Sequence, residues 1–177
     1  MVIYVIRHGE TDWNTKHWLQ GATDIPLNQN GIEVAEITAE ALKEVPFDVI
    51  FSSPLQRAHQ TAEILRRDRK IPLIVDERLR EVSFGSFEGL CCMGDGYNIP
   101  DPNFRNFFED PAHYTPPEDG ESIAELCVRG TDFLTWLIDQ PEYQDKTVLI
   151  SGHGALVKAL LSSLLITDLK DFWKGGV

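Results

Sequence analysis

The sequence predicts an α/β protein whose doubly wound, mostly parallel sheet is flanked by helices. The continuously apolar run at residues 2–6 has the composition of a strand buried on both faces, residues 147–151 read as another buried strand, and such strands usually pair in parallel. Shorter strand candidates at 48–51 and 72–75 alternate with stretches whose apolar residues recur at helical spacing. Strands alternating with helices make a wound sheet the natural architecture.

In chain order, the run Val2 to Ile6 breaks at Arg7-His8-Gly9. Ile32, Ala35, Ala39, Leu42 and Val45 share one face of a helix over residues 28–45, with Asn28 or Asn30 available as its cap. Asp48 to Phe51 follows as a strand. Ser53-Pro54 then reads as the cap and first position of a helix over about 54–69 that buries Leu55, Ala58, Ala62 and Leu65. Pro72 to Val75 is the next strand. Residues 84–120 concentrate glycine, proline and aromatic residues, too apolar for a disordered linker, and read as a folded insertion with a short helix near Phe104 to Phe108. A lid or pocket wall around residues 90–120 is the expectation. Residues 121–140 form the longest amphipathic helix, with Ile123, Leu126, Cys127, Phe133, Leu134 and Leu137 mostly inward. The strand Thr147 to Ser151 is broken by Gly152-His153-Gly154 and followed by an apolar helix over 155–165.

The chain of 177 residues has the length of one globular domain, taken here as 1–177. Its 16 Lys and Arg against 28 Asp and Glu leave a formal charge of −12, which argues against nucleic acid or an anionic membrane as partner. An anionic ligand would therefore need locally placed positive charge. No apolar run approaches the roughly 18 residues of a spanning helix, and the N-terminus lacks the pattern of a signal peptide, so a cytoplasmic protein is expected. Three cysteines, two of them the neighbours Cys91 and Cys92, suit reduced thiols rather than a disulfide framework or a metal motif.

His8 and His153 each follow a buried strand and stand beside a glycine, where the carboxyl end of a strand opens into a loop. In wound sheets ligands bind at that edge, and glycine lets the backbone turn there without obstruction. One such histidine would more often be structural; two at equivalent positions point to a site. Arg7 and Arg57 fall near the same edge, and guanidinium groups beside a helix N-terminus suit a phosphate. For Arg57 the spacing leaves a surface ion pair with Glu63 equally open. A metal on His8 and His153 lacks a third ligand at short motif spacing, so none is expected.

Arg7-His8-Gly9-Glu10-Thr11 with Asn14, Gly21 with Pro26-Leu27-Asn28 and Gly31, and Ser52-Ser53-Pro54-Leu55-Gln56-Arg57-Ala58 with Gln60-Thr61-Ala62 resemble the histidine phosphatase superfamily, also called phosphoglycerate mutase-like. Leu79-Arg80-Glu81, Phe84-Gly85, Glu88-Gly89, Gly120-Glu121-Ser122 and His153-Gly154 continue the match in order. The resemblance implies that His8 takes the phosphoryl group as a phosphohistidine. Arg7, Arg57 and His153 would surround that phosphoryl, and Glu81 would protonate the leaving oxygen and later activate water. Glu81 otherwise reads as a solvated member of the charged run Glu77 to Glu81. Asn14, Gln20 and Gly21 match positions that contact the phosphate. Trp13, Trp18 and Phe84 line the pocket or pack beneath it, while Tyr97, His113 and Tyr114 lie in the insertion that closes over substrate in relatives.

Ala155 stands where a second glycine is common, and Lys158 where many phosphatases carry arginine. Relatives usually continue into another strand beyond Gly175-Gly176. The form of residues 81–89 resembles phosphatases more than mutases, so the expected activity is metal-independent hydrolysis of a small phosphorylated metabolite by histidine acid-type chemistry, without a cofactor. Phosphoglycerate mutase-type transfer, or a noncatalytic phosphate-binding module, is the alternative. The leaving group and the oligomeric state stay open.

Overall fold

The computed structural model describes residues 1–165 and 168–174; the Gly175-Gly176 pair and the chain beyond it lie outside these. Four strands, β1 (Val2–Arg7), β2 (Val49–Ser52), β3 (Leu73–Val75) and β4 (Thr147–Gly152), form one sheet in the order β1-β4-β2-β3. Every pairing is parallel, with Arg7 opposite Gly152 and Ser52 opposite Ser151. That register brings the ends of β1, β2 and β4 to one edge.

Alternation along the strands divides the core between two helical layers. Val49, Phe51, Val148 and Ile150 face α5 (Ile123–Asp139) and α6 (Gly154–Leu165), whereas Ile50 and Leu149 face α2 (Gln29–Ala41) and α3 (Gln56–Arg66). The sheet is therefore wound on both faces, as the sequence predicts. Phe51 is fully buried against Phe133, Trp136 and Tyr143 at ring distances of 5.6, 5.8 and 5.6 Å. Each such aromatic pair adds about 0.5–1.5 kcal/mol beyond its buried area.

Local chemistry sets the helix starts. The Asn28 side chain accepts from the Gly31 N–H and caps α2, while Ser122 and Glu125 form a reciprocal capping box on α5. A four-residue helix, α1 (Asp12–Thr15), begins with a second box between Thr11 and Asn14. It is too short for periodicity to reveal.

Three expectations change. β1 is an edge strand, with Val2 and Tyr4 exposed, because only β4 pairs with it among the described residues. Its apolar run serves two uneven faces: Ile3 and Val5 pack toward α5 and α6, while Tyr4 meets Phe47 edge-on at 5.3 Å. The helix at Ser53-Pro54 starts later, with Leu55 at its cap position and Gln56 as its first residue, since Ser53 is engaged elsewhere. α2 ends at Ala41, short of Val45, although Val45 still packs on that layer.

The 84–120 segment folds as short 3-10 turns around α4 (Asn106–Glu109). Phe84, Phe87, Phe104, Phe107 and Tyr114 belong to the same hydrophobic cluster as the face of the sheet toward α5 and α6. Backbone bonds from Leu19 N to Leu90 O and from Cys92 N to His17 O, both 2.9 Å, stitch the segment to the loop after His8.

Candidate active site

The strand ends position the histidines. His8 N donates to Gly152 O at 2.9 Å, and Ser53 N to Ser151 O at 3.0 Å, so the ladder continues one residue past the strands. The His8 and His153 rings stand 5.2 Å apart. Neither Gly9 nor Gly154 adopts a left-handed backbone. Gly9 is required by close approach instead: a Cβ there would meet Gly31 O at 2.4 Å, where the loop abuts the start of α2.

The His8 ring is oriented by its neighbours. Nδ1 lies 2.6 Å from Gly9 O, and because a carbonyl only accepts, Nδ1 carries the proton. Nε2 then holds the lone pair, which accepts from Arg57 Nε at 3.2 Å. Burial, followed by the charge of Arg57, holds the His8 pKa down to about 3, so the ring is neutral at physiological pH.

Arg57 is fully buried at the start of α3, which removes the surface ion pair with Glu63 from consideration. Glu63 pairs with Arg66 instead. Arg57 donates to Thr23 O at 2.8 Å and Gly21 O at 2.7 Å. Burial lowers its pKa to about 10, leaving it charged near neutrality. The loop carrying those carbonyls is held by Glu88, which accepts from Ala22 N, Thr23 N and Phe84 N at 2.8, 2.8 and 3.0 Å. Gly21, at φ +51°, would place a Cβ 2.1 Å from Glu88 Oε1. Gly21 thus supports Arg57 through its backbone.

His153 is fully buried, and its Nε2 lies 2.8 Å from Ser53 Oγ. Burial first, then Arg57 and His8, push its pKa well below the ordinary histidine value. Its Nδ1 is buried without a hydrogen-bond partner. Ser53 Oγ also accepts from Leu55 N at 3.3 Å, which ties the His153 ring to the turn that opens α3.

Glu81 is not a solvated member of the charged run. Its carboxylate accepts from Val82 N at 2.9 Å and, at the N-terminus of α6, from Leu156 N at 3.1 Å and Ala155 N at 3.2 Å. Burial raises its pKa, opposed by these amides and by Arg57. Arg129 on α5 positions the turn by donating to Arg78 O and Arg80 O at 2.7 and 2.8 Å while pairing with Glu121 at 2.7 Å. Arg80 pairs with exposed Glu77.

An inner cavity of about 230 Å³ collects Arg7, His8, Asn14, Gln20, Gly21, Arg57 and Glu81. His153 lies behind it. Thr11 is fully buried; its hydroxyl donates to Gln20 Oε1 at 2.9 Å and its backbone N–H to Asn14 Oδ1 at 3.1 Å, which leaves both side-chain amide nitrogens as the available donors. Arg7 has no carboxylate within 4.0 Å among the described residues and lines both this cavity and a wider vestibule of about 510 Å³. Trp18 and Phe84 line the inner cavity, while Trp13 packs on Trp18 at 5.7 Å. His113 does not belong to the site: it is exposed and paired with Asp110 at 2.8 Å. Tyr114 is buried in the core of the insertion.

The sequence reading missed several contributors. Phe107, Phe108 and Trp173 complete the inner wall, with Trp173 Nε1 donating to Phe107 O. Glu88 sat in a quoted motif without a role, and Arg129 went unremarked because the carbonyls of Arg78 and Arg80 that it holds lie 51 and 49 positions away. No three His, Cys, Asp or Glu side chains among the described residues group closely enough to hold a metal ion.

An α/β sheet with two buried histidines at its strand ends, facing buried Arg57 and exposed Arg7, defines a protein of the phosphate-handling α/β class. The histidine phosphatase superfamily, branch 1, matches residues 3–177, and the chain belongs to it. The chain is 35% identical over 162 residues to "Uncharacterized phosphatase PhoE" of Bacillus subtilis, covering 92% of this chain and 76% of that protein. It is 30% identical over 174 residues to "Phosphoserine phosphatase 1" of Hydrogenobacter thermophilus, with coverage of 98% and 81%. The solved structure of Bacillus stearothermophilus YhfR superposes with a TM-score of 0.89 at 35% identity, over 97% of this chain and 83% of that one. Proteins named as phosphoglycerate mutases match as well. No helix of the described residues is long and apolar enough to cross a membrane.

Proposed function

We propose that the protein hydrolyses phosphomonoesters of small metabolites without a metal, through a phosphohistidine on His8. The observation that carries this reading is the locked His8 ring, whose Nδ1 proton is spent on Gly9 O while Nε2 presents a lone pair beside Arg57 and the inner cavity. Nε2 attacks phosphorus, an N–P bond forms, and the bond to the leaving oxygen breaks. Glu81 gives that oxygen its proton. Water then attacks the phosphohistidine, Glu81 takes the water proton, and the N–P bond breaks to release inorganic phosphate.

Such a transfer asks for positioning and for donors aimed at the phosphoryl oxygens. Arg57 now donates to Nε2; with substrate bound, the same N–H turns to an equatorial oxygen and frees the lone pair. Arg7 and the amide nitrogens of Asn14 and Gln20 supply further donors, and His153, with its Nδ1 unpartnered, stands behind them as a reserve donor. The raised pKa of Glu81 suits an acid in the first step. The three amides that hold its carboxylate suit the base form in the second.

Hydrolysis is favoured over mutase-type transfer because Arg7 and Arg57 are the cations among the described residues lining the inner cavity. A bisphosphorylated intermediate would need another anion-binding group. A metal-free preparation should hydrolyse an aryl phosphate equally with and without chelator. Rapid quenching with labelled substrate should yield an acid-labile phosphate on the peptide containing His8. Chelator-sensitive activity, or no label, would overturn the mechanism.

A further inference from the structure

Cys91 and Cys92 are neighbours in sequence, both free and both half-buried, and the chemistry described above uses neither. Cys92 lines the vestibule together with Arg7, His8 and Asn14. Each thiol donates to a carbonyl, Cys91 Sγ to Met93 O and Cys92 Sγ to His17 O, both at 3.2 Å. Cys91 Sγ also lies 3.7 Å from Lys16 O. The two sulfurs therefore sit against successive residues of the loop that follows His8.

The peptide group that joins the two cysteines is itself a bridge. Its carbonyl, on Cys91, accepts from Asn98 N at 3.1 Å, and its N–H, on Cys92, donates to His17 O at 2.9 Å. Cys91 N adds a bond to Asn98 Oδ1 at 2.7 Å, and Cys91 pairs with Trp18 in an isolated antiparallel bridge. One peptide thus ties the inserted segment to the loop that carries Asn14, Trp18 and Gln20. His17 in that loop has φ +55°, a left-handed conformation uncommon outside glycine. Such a residue keeps its place only where its surroundings over-determine it, and the bonds from Cys92 do so here.

We propose that Cys91 and Cys92 form a reversible oxidation site, in which a peroxide joins the neighbouring sulfurs as a disulfide and thereby loosens the loop that supplies phosphate donors. One thiolate attacks hydrogen peroxide, the O–O bond breaks, and a sulfenic acid forms with release of water. The neighbouring thiol then attacks that sulfur, the S–S bond forms, and the hydroxyl leaves as a second water. The sulfurs give up two electrons and two protons in all. Neighbours in extended chain point to opposite faces, so the sulfurs meet only when the peptide between them turns. That turn breaks the bonds to Asn98 and His17, and oxidation removes the S–H that His17 O accepted. Consecutive Cα atoms stand about 3.8 Å apart against the roughly 4.4–6.8 Å of an ordinary disulfide, so the bridge is strained and readily reduced. Gly96 packs over the Cys91 sulfur, where a Cβ would meet Sγ at 3.2 Å, which favours the neighbouring sulfur over a bulky adduct. Burial, then Cys91, pushes the Cys92 pKa up, so Cys92 rests as a thiol until oxidant is in excess. The effect on turnover rests on the phosphatase reading; the formation of the bridge does not.

The test treats the whole protein with hydrogen peroxide and then with dithiothreitol. The tryptic peptide 81–105, which holds both cysteines, should lose two hydrogens and refuse iodoacetamide, and dithiothreitol should reverse both changes. Over the same course kcat/KM for an aryl phosphate should fall on the order of tenfold or more, the scale of a slight misplacement of binding groups, and then recover. Titrated inorganic phosphate should bind the oxidised form correspondingly more weakly. Cys91→Ser should keep wild-type turnover when reduced and show no reversible loss. Cys127→Ser, which changes the remaining cysteine on α5, should respond as the wild type does. A bridge that leaves both turnover and phosphate binding unchanged overturns the proposal, and so does an equal loss in Cys91→Ser, which assigns the damage to other side chains. A bridge that weakens phosphate binding in a protein unable to hydrolyse the ester would sink the phosphatase reading and keep the oxidation site. Hydrolysis of the ester with no bridge formed in peptide 81–105 would sink the oxidation site alone.

Discussion

His8 and His153 occupy matching ends of neighbouring parallel strands, yet their surroundings divide them. His8 lines the inner cavity and has both ring nitrogens engaged, one by Gly9 O and one by Arg57. His153 stands behind that cavity, fully buried, with one nitrogen held by Ser53 and the other unpartnered. Equivalent positions in a strand pattern do not make equivalent groups. The loop after β1 curls toward α2 and opens a face of His8, whereas the chain after β4 enters α6 at once and encloses His153.

The sharpest way to break this comparison is to delete each ring in turn. His8→Ala should lower turnover on the order of 10⁴ or more, since the nucleophile is lost. His153→Ala should lose on the order of 10²–10³, the scale of one donor to a developing anion. Steady-state assays of both purified variants decide it, and equal losses would mean that the division of roles is wrong.

Glu81 sharpens the same contrast, because it is held at the mouth of α6 beside His153 but acts on the leaving group of a reaction begun at His8. Glu81→Gln should slow single-turnover release of an alkyl alcohol on the order of 10²–10⁴. Release of an acidic phenol should slow far less, since that group leaves without a proton. Identical losses in this first step would remove Glu81 from the acid role. For the native enzyme, release of alkyl alcohols should decline as pH rises through the elevated pKa of Glu81.

The smallest expected effect concerns stability. His8 titrates at about 3 when folded and near 6.5 when unfolded, so between those values the unfolded chain binds a proton that the folded chain does not. Its contribution is complete above pH 6.5 and is lost as pH falls toward 3. His153 acts in the same direction. His8→Asn should therefore gain stability relative to wild type at pH 5 compared with pH 8. Thermal melts at the two pH values measure this, and a variant-to-wild-type difference that stays constant with pH would refute it.

Much of the fold was legible because burial leaves periodic marks. The runs at 2–6 and 147–151, the helical face of Ala35 and Ala39, and the Asn28 cap each rest on residues only a few positions apart. The strand-histidine-glycine pattern likewise marked one sheet edge, and the ordered motifs marked the family. What the chain alone determined was therefore local: which segments are apolar on which faces, and which reactive side chains stand at strand ends. Tertiary structure decided the rest. β1 is an edge strand because only β4 pairs with it among the described residues, a fact about neighbours rather than composition. Arg57 became buried only when Gly21 O, Thr23 O and His8 met it from distant segments. Glu81 left the charged run because the start of α6, more than 70 residues later, supplied two amides to its carboxylate. Contacts between residues far apart in sequence leave no periodic trace, since their energy depends on where the chain returns in space.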